Sequence, residues 1–146
     1  MSVNTPDRRL SKREFDRVYF RIHDDAVFLT SNAFGADERH KKDFAKYIEV
    51  TKGRIMRIVE DIGTHIRMAN SIYPLEGHTH ELEERRIEQG KAIGLCYDLL
   101  TKYQLIMHTL EISDDKFVQE IKHIGHEINC LKRWRTSDNK RFSHVG

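Results

Sequence analysis

The chain has 146 residues, 38% of them hydrophobic and 33% charged, with 8 glycines, 2 prolines and a formal net charge of +2. That length suits one domain with one core, and the balance of apolar to charged residues with few glycines and prolines suits a soluble, helix-rich chain rather than a disordered or β-rich one. So small a net charge establishes no polyanion partner by itself, and any case for one rests on where the cations stand.

The first residues, MSVNTPDRRLSKRE, are polar, and no run approaches the ~18 uncharged apolar residues that would span a bilayer. Cys96 and Cys130 fall at apolar positions and form no C-x-x-C pair, which fits a reducing compartment. The expectation is a cytoplasmic protein with no membrane partner.

Residues 1–10 read as a flexible lead-in. Ser11 and Glu14 then stand in capping-box spacing, which predicts a helix from near Lys12 with Phe15, Val18, Tyr19, Ile22, Ala26, Leu29 and Ala33 on its apolar face. Phe34-Gly35-Ala36 breaks that row. Asp37 and Glu38 open a second helix, whose stripe of Phe44, Ile48, Ile55, Val59, Ile62, Ile66 and Ala69 runs to about Ser71, a length at which a bend or a boundary within it is an equal alternative. Residues 74–80, PLEGHTH, carry the signals of an exposed connection.

A third helix is predicted from about Glu81 to Leu110, with Ile93, Cys96, Leu100, Tyr103, Met107 and Leu110 as its seam. Ala92, Leu95, Leu99 and Ile106 lie beside that seam. This makes the apolar arc wider than one four-helix core demands and points to a protein contact. Ser113 is placed to cap a fourth helix, built on Phe117, Ile121, Ile124, Ile128 and Leu131, that ends on Lys132, Arg133 and Arg135. The predicted architecture is all-α: an antiparallel up-down four-helix bundle over residues 11–136, followed by a polar basic tail over 137–146. Gly53, Gly63, Gly90, Gly94 and Gly125 all fall inside predicted helices, each at ~1 kcal/mol relative to Ala, so each marks either a close helix contact or a bend.

Candidate catalytic motifs are few. Glu120, His123 and His126 have the spacing of a metal-binding helix, but a di-metal bundle needs a second Glu-x-x-His that the chain lacks. His78, His80 and Glu81 sit in the exposed connection. Arg17 and His23 have the spacing of the Arg–His pair of HEPN-type ribonucleases, with Val18 where those enzymes carry a polar residue; His23-Asp24 is a His-Asp doublet without its further partners. There is no G-x-S-x-G turn and no glycine-rich phosphate loop. The expectation is a chain with no metal, no cofactor and no catalytic activity, the alternatives being a metal-binding or HEPN-like ribonuclease and a purely structural oligomer.

Basic clustering is the stronger signal. Lys132, Arg133, Arg135, Lys140 and Arg141 surround the single Trp134, with Asp138 as the one acid among them. Such cations pair with phosphates, and an exposed indole stacks on a base; equally, cations end helices ordinarily, and Trp134 extends the stripe of Leu131 as a core residue would. Arg85-Arg86 and the segment Arg8 to Arg17 add further cations with acids interspersed.

The stretches RRIEQGKAIGLCYDLL (Arg85–Leu100) and INCLKRWRTSDNKRF (Ile128–Phe142), with the order of elements, resemble a four-helix-bundle family. That family comprises proteins encoded in 23S rRNA intervening sequences and the accessory variability determinants of diversity-generating retroelements. The resemblance covers about residues 12–142. It implies a ring-like homopentamer whose basic surface binds nucleic acid and, in the retroelement branch, a reverse transcriptase, in support of mutagenic copying of template RNA. The residues it implies at that surface, by their basic character, are Arg85, Arg86, Lys132, Arg133, Arg135, Lys140 and Arg141; Trp134 joins the candidate site on its stacking chemistry alone. The chain departs from the family in carrying 23 acids against 25 cations.

Overall fold

The computed structural model describes residues 14–75 and 78–142. The Ser11 cap, the lead-in over 1–10, the last four residues and part of the connection after Pro74 therefore lie outside the described residues. Every described element is helical: α1 (Glu14–Ser31), α2 (Glu38–Asp43), α3 (Ala45–Ser71), α4 (Thr79–Thr109) and α5 (Val118–Arg141), with short 3-10 turns at Ala33–Gly35 and Asp114–Phe117.

The four long helices meet in a closed cycle. α1 packs on α3, α3 on α4, α4 on α5, and α5 back on α1. Their apolar rows converge on one core in which Ile22, Ile55, Ile62, Leu99, Ile106 and Leu131 are fully enclosed. Because α4 touches both α3 and α5, it needs two apolar stripes. Of the four residues expected as surplus, Ala92, Leu99 and Ile106 are therefore buried inside the chain and Leu95 is partly buried against the same core.

The turn after α1 shows how packing overrides local preference. Ala33 and Phe34 hold φ of 55° and 60°, followed by Gly35 at 78°. For residues with a Cβ this left-handed region costs about 1–2 kcal/mol each, and full burial of the Phe34 ring returns an amount of the same order. Asp37 then caps α2, accepting from the His40 backbone N–H at 2.8 Å. That bond, together with the His40 ring, holds its carboxyl below the usual range.

Three boundaries differ from expectation. The second predicted helix is two, broken at Phe44, whose φ of −117° leaves the helical region. Ser113 makes no side-chain cap, and a 3-10 turn precedes α5. The predicted tail is helical as far as Arg141, because Trp134, Asp138 and Phe142 continue the buried row at steps of four.

The glycines separate cleanly. A Cβ on Gly63 would collide with the Tyr19 ring, 2.6 Å from its Cζ, so this glycine lets Tyr19 lie across α3 and donate to the Val59 carbonyl at 2.9 Å. At Gly53, Gly90, Gly94 and Gly125 a Cβ would meet nothing within 4 Å. Close contact explains one glycine of the five.

Candidate nucleic-acid interface

The final three turns of α5 carry charge on two opposed faces. Inward, Asp138 is buried and saturated: Arg85 Nε and Nη2 donate to its two oxygens at 2.6 and 3.2 Å, and Gln89 Nε2 donates at 2.6 Å. The remaining Arg85 nitrogen, Nη1, donates at the end of α3 to the carbonyls of Ala69 and Ile72 at 3.3 and 2.6 Å, where helix carbonyls run short of backbone donors; the Ala69 carbonyl also accepts from the Ile72 backbone N–H at 3.2 Å. The guanidinium lies over the Trp134 ring, 5.2 Å from its centroid, and Trp134 in turn stacks on Phe15 at 4.4 Å.

Arg85 and Trp134 are thus structural. Arg85 is 4% exposed and Trp134 8%, and every donor group of Arg85 is committed to the ends of α3 and α5. The expectation that these two residues contact nucleic acid is corrected on that ground. A charge this deeply buried must be paired, and the pair closes the end of the fold where three helices meet.

Outward, Lys132, Arg133 and Lys140 are exposed and, with Thr136 and Ser137, line an open groove of about 390 Å³. Their positions fall at steps of one, three and four along α5 and so share one helical face. Lys132 Nζ donates to the Tyr97 hydroxyl at 2.9 Å and sits over its ring. Arg133 reaches Glu14 Oε1 at 3.2 Å and the Cys130 sulfur at 3.4 Å.

Arg135 is half-buried, and among the described residues neither it nor Lys140 pairs with a carboxylate. Arg141 lies round the helix, donating to the Tyr73 hydroxyl at 3.1 Å, and Arg86 donates to Asn139 at 2.9 Å. The groove therefore gathers Lys132, Arg133 and Lys140; Arg86, Arg135 and Arg141 flank it.

Among the candidate metal ligands, His126 comes together with Glu14 and Cys130 in a cluster of metal-ligating groups. His123 instead pairs with Asp25 at 2.6 Å, and among the described residues neither it, Glu120, His78, His80 nor Glu81 joins such a cluster. Arg17 and His23, six residues apart on α1, stand about 120° apart round its axis. No helix among the described residues is long and apolar enough to cross a membrane.

Neither the family models, the characterised proteins nor the solved structures with which the chain was compared match it.

The Arg85–Gln89–Asp138 network is missing from the sequence-based expectation, although a signal for it is present. Asp138 sits four residues beyond Trp134 in an apolar row, and Arg85 and Gln89 continue the row of Ala92 and Cys96. Opposite charges placed in two facing stripes are the mark of a buried pair.

Proposed function

We propose that the chain is a non-catalytic nucleic-acid-binding subunit that grips a phosphate backbone with the outward face of α5. One observation carries this reading: the acid closest in sequence to the basic cluster, Asp138, is sequestered in the core by Arg85, so it neutralises none of Lys132, Arg133 and Lys140 around the groove. Glu14 meets Arg133 at 3.2 Å, whereas Lys132 and Lys140 have no carboxylate partner among the described residues, so the local surface is more basic than a net charge of +2 conveys. Cations along one helical face suit counterion release from a polyphosphate strand and carry no base-reading pattern.

The frame proposed for this surface is an antiparallel up-down four-helix bundle. Glu14 pairs with His126 while Asp25 pairs with His123, and Arg85 pairs with Asp138 while Tyr97 meets Lys132. In both helix pairs the partners step in opposite senses along the chain. Phe20 and Phe28 stand 62% and 63% exposed on α1, an apolar surface consistent with a ring-like homo-oligomer, which would multiply the basic groove around one assembly. The partners the family resemblance implies, template RNA and the reverse transcriptase of a diversity-generating retroelement, complete the proposal: the subunit holds both and raises their effective concentration.

The test is a titration of labelled single-stranded RNA over a range of salt. Wild-type protein binds, with log affinity falling linearly in log salt; the double charge reversal Lys132→Glu/Lys140→Glu weakens binding and lowers the slope by about 0.7 for each phosphate no longer neutralised. Thermal unfolding serves as the check that the bundle is intact. Binding that is undetectable at low salt, or equal in the variant, overturns the reading.

A further inference from the structure

Where α1 starts against the middle of α5, three metal-ligating groups converge. His126 and Cys130 stand four residues apart on one face of α5, and Glu14 opens α1 opposite them. A His126 ring nitrogen, the Cys130 sulfur and a Glu14 oxygen all lie within 4.8 Å of one another, and His126 Nε2 is 3.0 Å from Glu14 Oε2. We infer that Glu14, His126 and Cys130 form a binding site for a thiophilic divalent cation of the zinc class, with its fourth position open to solvent.

The donor set selects the metal. A thiolate, an imidazole and a carboxylate suit zinc and cobalt(II) and disfavour magnesium and calcium, which take oxygen ligands. Bond lengths of about 2.0–2.3 Å in a tetrahedron place ligand atoms roughly 3.3–3.8 Å apart, so the site must draw in by about an ångström. The side chains that move are reachable ones: His126 and Glu14 are 42% and 40% exposed. The i, i+4 spacing of His126 and Cys130 is fixed by the helix.

A cation already holds this position. Arg133 Nη2 contacts both Glu14 Oε1 and the Cys130 sulfur. Since Arg133 is 66% exposed, its guanidinium can swing outward when a metal arrives. Binding then exchanges one cation for another: the thiol releases its proton to solvent, sulfur, imidazole nitrogen and carboxylate bond the metal, and Arg133 turns toward solvent beside the groove. No electron transfer is involved.

The experiment is titration of the full chain with cobalt(II) followed by zinc competition. Expected are one tight equivalent, a thiolate-to-cobalt charge-transfer band in the near ultraviolet, and displacement by zinc. Cys130→Ser abolishes the band, and Glu14→Gln weakens affinity by at least about tenfold. Arg133→Ala, which removes the competing guanidinium, tightens it.

The exposed His78 and His80, paired with Glu81 and Glu84, offer an adventitious imidazole site that gives no thiolate band. Cobalt binding without that band, or with Cys130→Ser as tight as wild type, overturns the inference; so does an Arg133→Ala variant that binds no tighter. RNA affinity enters none of these readouts, so the groove can fail while the metal site stands, and the reverse.

Discussion

Two buried acids on α5, three turns apart, have opposite surroundings. Asp138 is 2% exposed and accepts three hydrogen bonds from Arg85 and Gln89. Glu127 is fully enclosed, and neither of its oxygens has a partner among the described residues. Burial, reinforced by the charges of Asp16 and Glu14, pushes the Glu127 carboxyl up to about 9. One helix thus meets the cost of a buried carboxyl in two ways: Asp138 is given a counter-charge and three donors, and Glu127 keeps its proton.

The Asp138 solution is the more fragile to single changes. Arg85→Ala leaves the buried Asp138 carboxylate with Gln89 as its one remaining donor and takes the donor from the Ile72 carbonyl, so a loss of about 3–5 kcal/mol is expected, read as the shift in denaturant midpoint at constant slope. The paired change Arg85→Met/Asp138→Leu removes both charges. Its stability should return to within about 1–2 kcal/mol of wild type, because desolvation and attraction vanish together. A double variant as unstable as the single one would show that the bonds to the α3 carbonyls, not the ion pair, hold this end together.

Much of the fold is legible in the sequence, and the contrast between the two acids shows where legibility stops. The rows of Phe15, Val18, Ile22 and of Ile55, Val59, Ile62 announce their helices because apolar residues at steps of three and four have one common place to go. The break at Phe44 does not announce itself, since Phe44 continues the row that it interrupts. Of the basic residues, Lys132, Arg133 and Lys140 come to one groove as their spacing on a helix requires. Arg85 and Trp134 do not, because whether a long amphipathic side chain turns outward or inward depends on a partner far off in the chain: Asp138 for one, Phe15 for the other. Glu127 is equally hidden. It lies next to Ile128 in the row, and only three-dimensional packing decides that its carboxyl goes in rather than round the side.

Replacing Glu127 sharpens the comparison in a different variable. The folded chain holds the Glu127 proton up to about pH 9, while an unfolded chain releases it near 4.5. Between those values the folded state binds more protons, so this residue's contribution is fully present at the acid end and is lost as pH rises through the window. Glu127→Leu removes the dependence along with a buried unsatisfied group, and should stabilise by about 1–3 kcal/mol at neutral pH. The decisive readout is the difference in Tm between variant and wild type, which should widen from pH 5 to pH 9. A constant difference would mean that Glu127 finds a partner on ionising.

The smallest expected effect compares glycines and tests whether the close approach of α1 to α3 matters as packing. Gly125→Ala on α5 adds a methyl into open space, and it should stabilise by about 0.8–1 kcal/mol through helix propensity alone. Gly63→Ala has the same propensity gain but drives the Tyr19 ring off α3, sacrificing the bond to the Val59 carbonyl, itself worth about 1 kcal/mol. The two terms offset, so Gly63→Ala should sit near wild type and about 1 kcal/mol below Gly125→Ala. Adding Tyr19→Phe resolves the terms: with the hydroxyl gone, a Cβ at position 63 no longer breaks a hydrogen bond, and Gly63→Ala should be less costly in that background. If its effect is unchanged there, the ring itself, not its hydrogen bond, is what Gly63 accommodates.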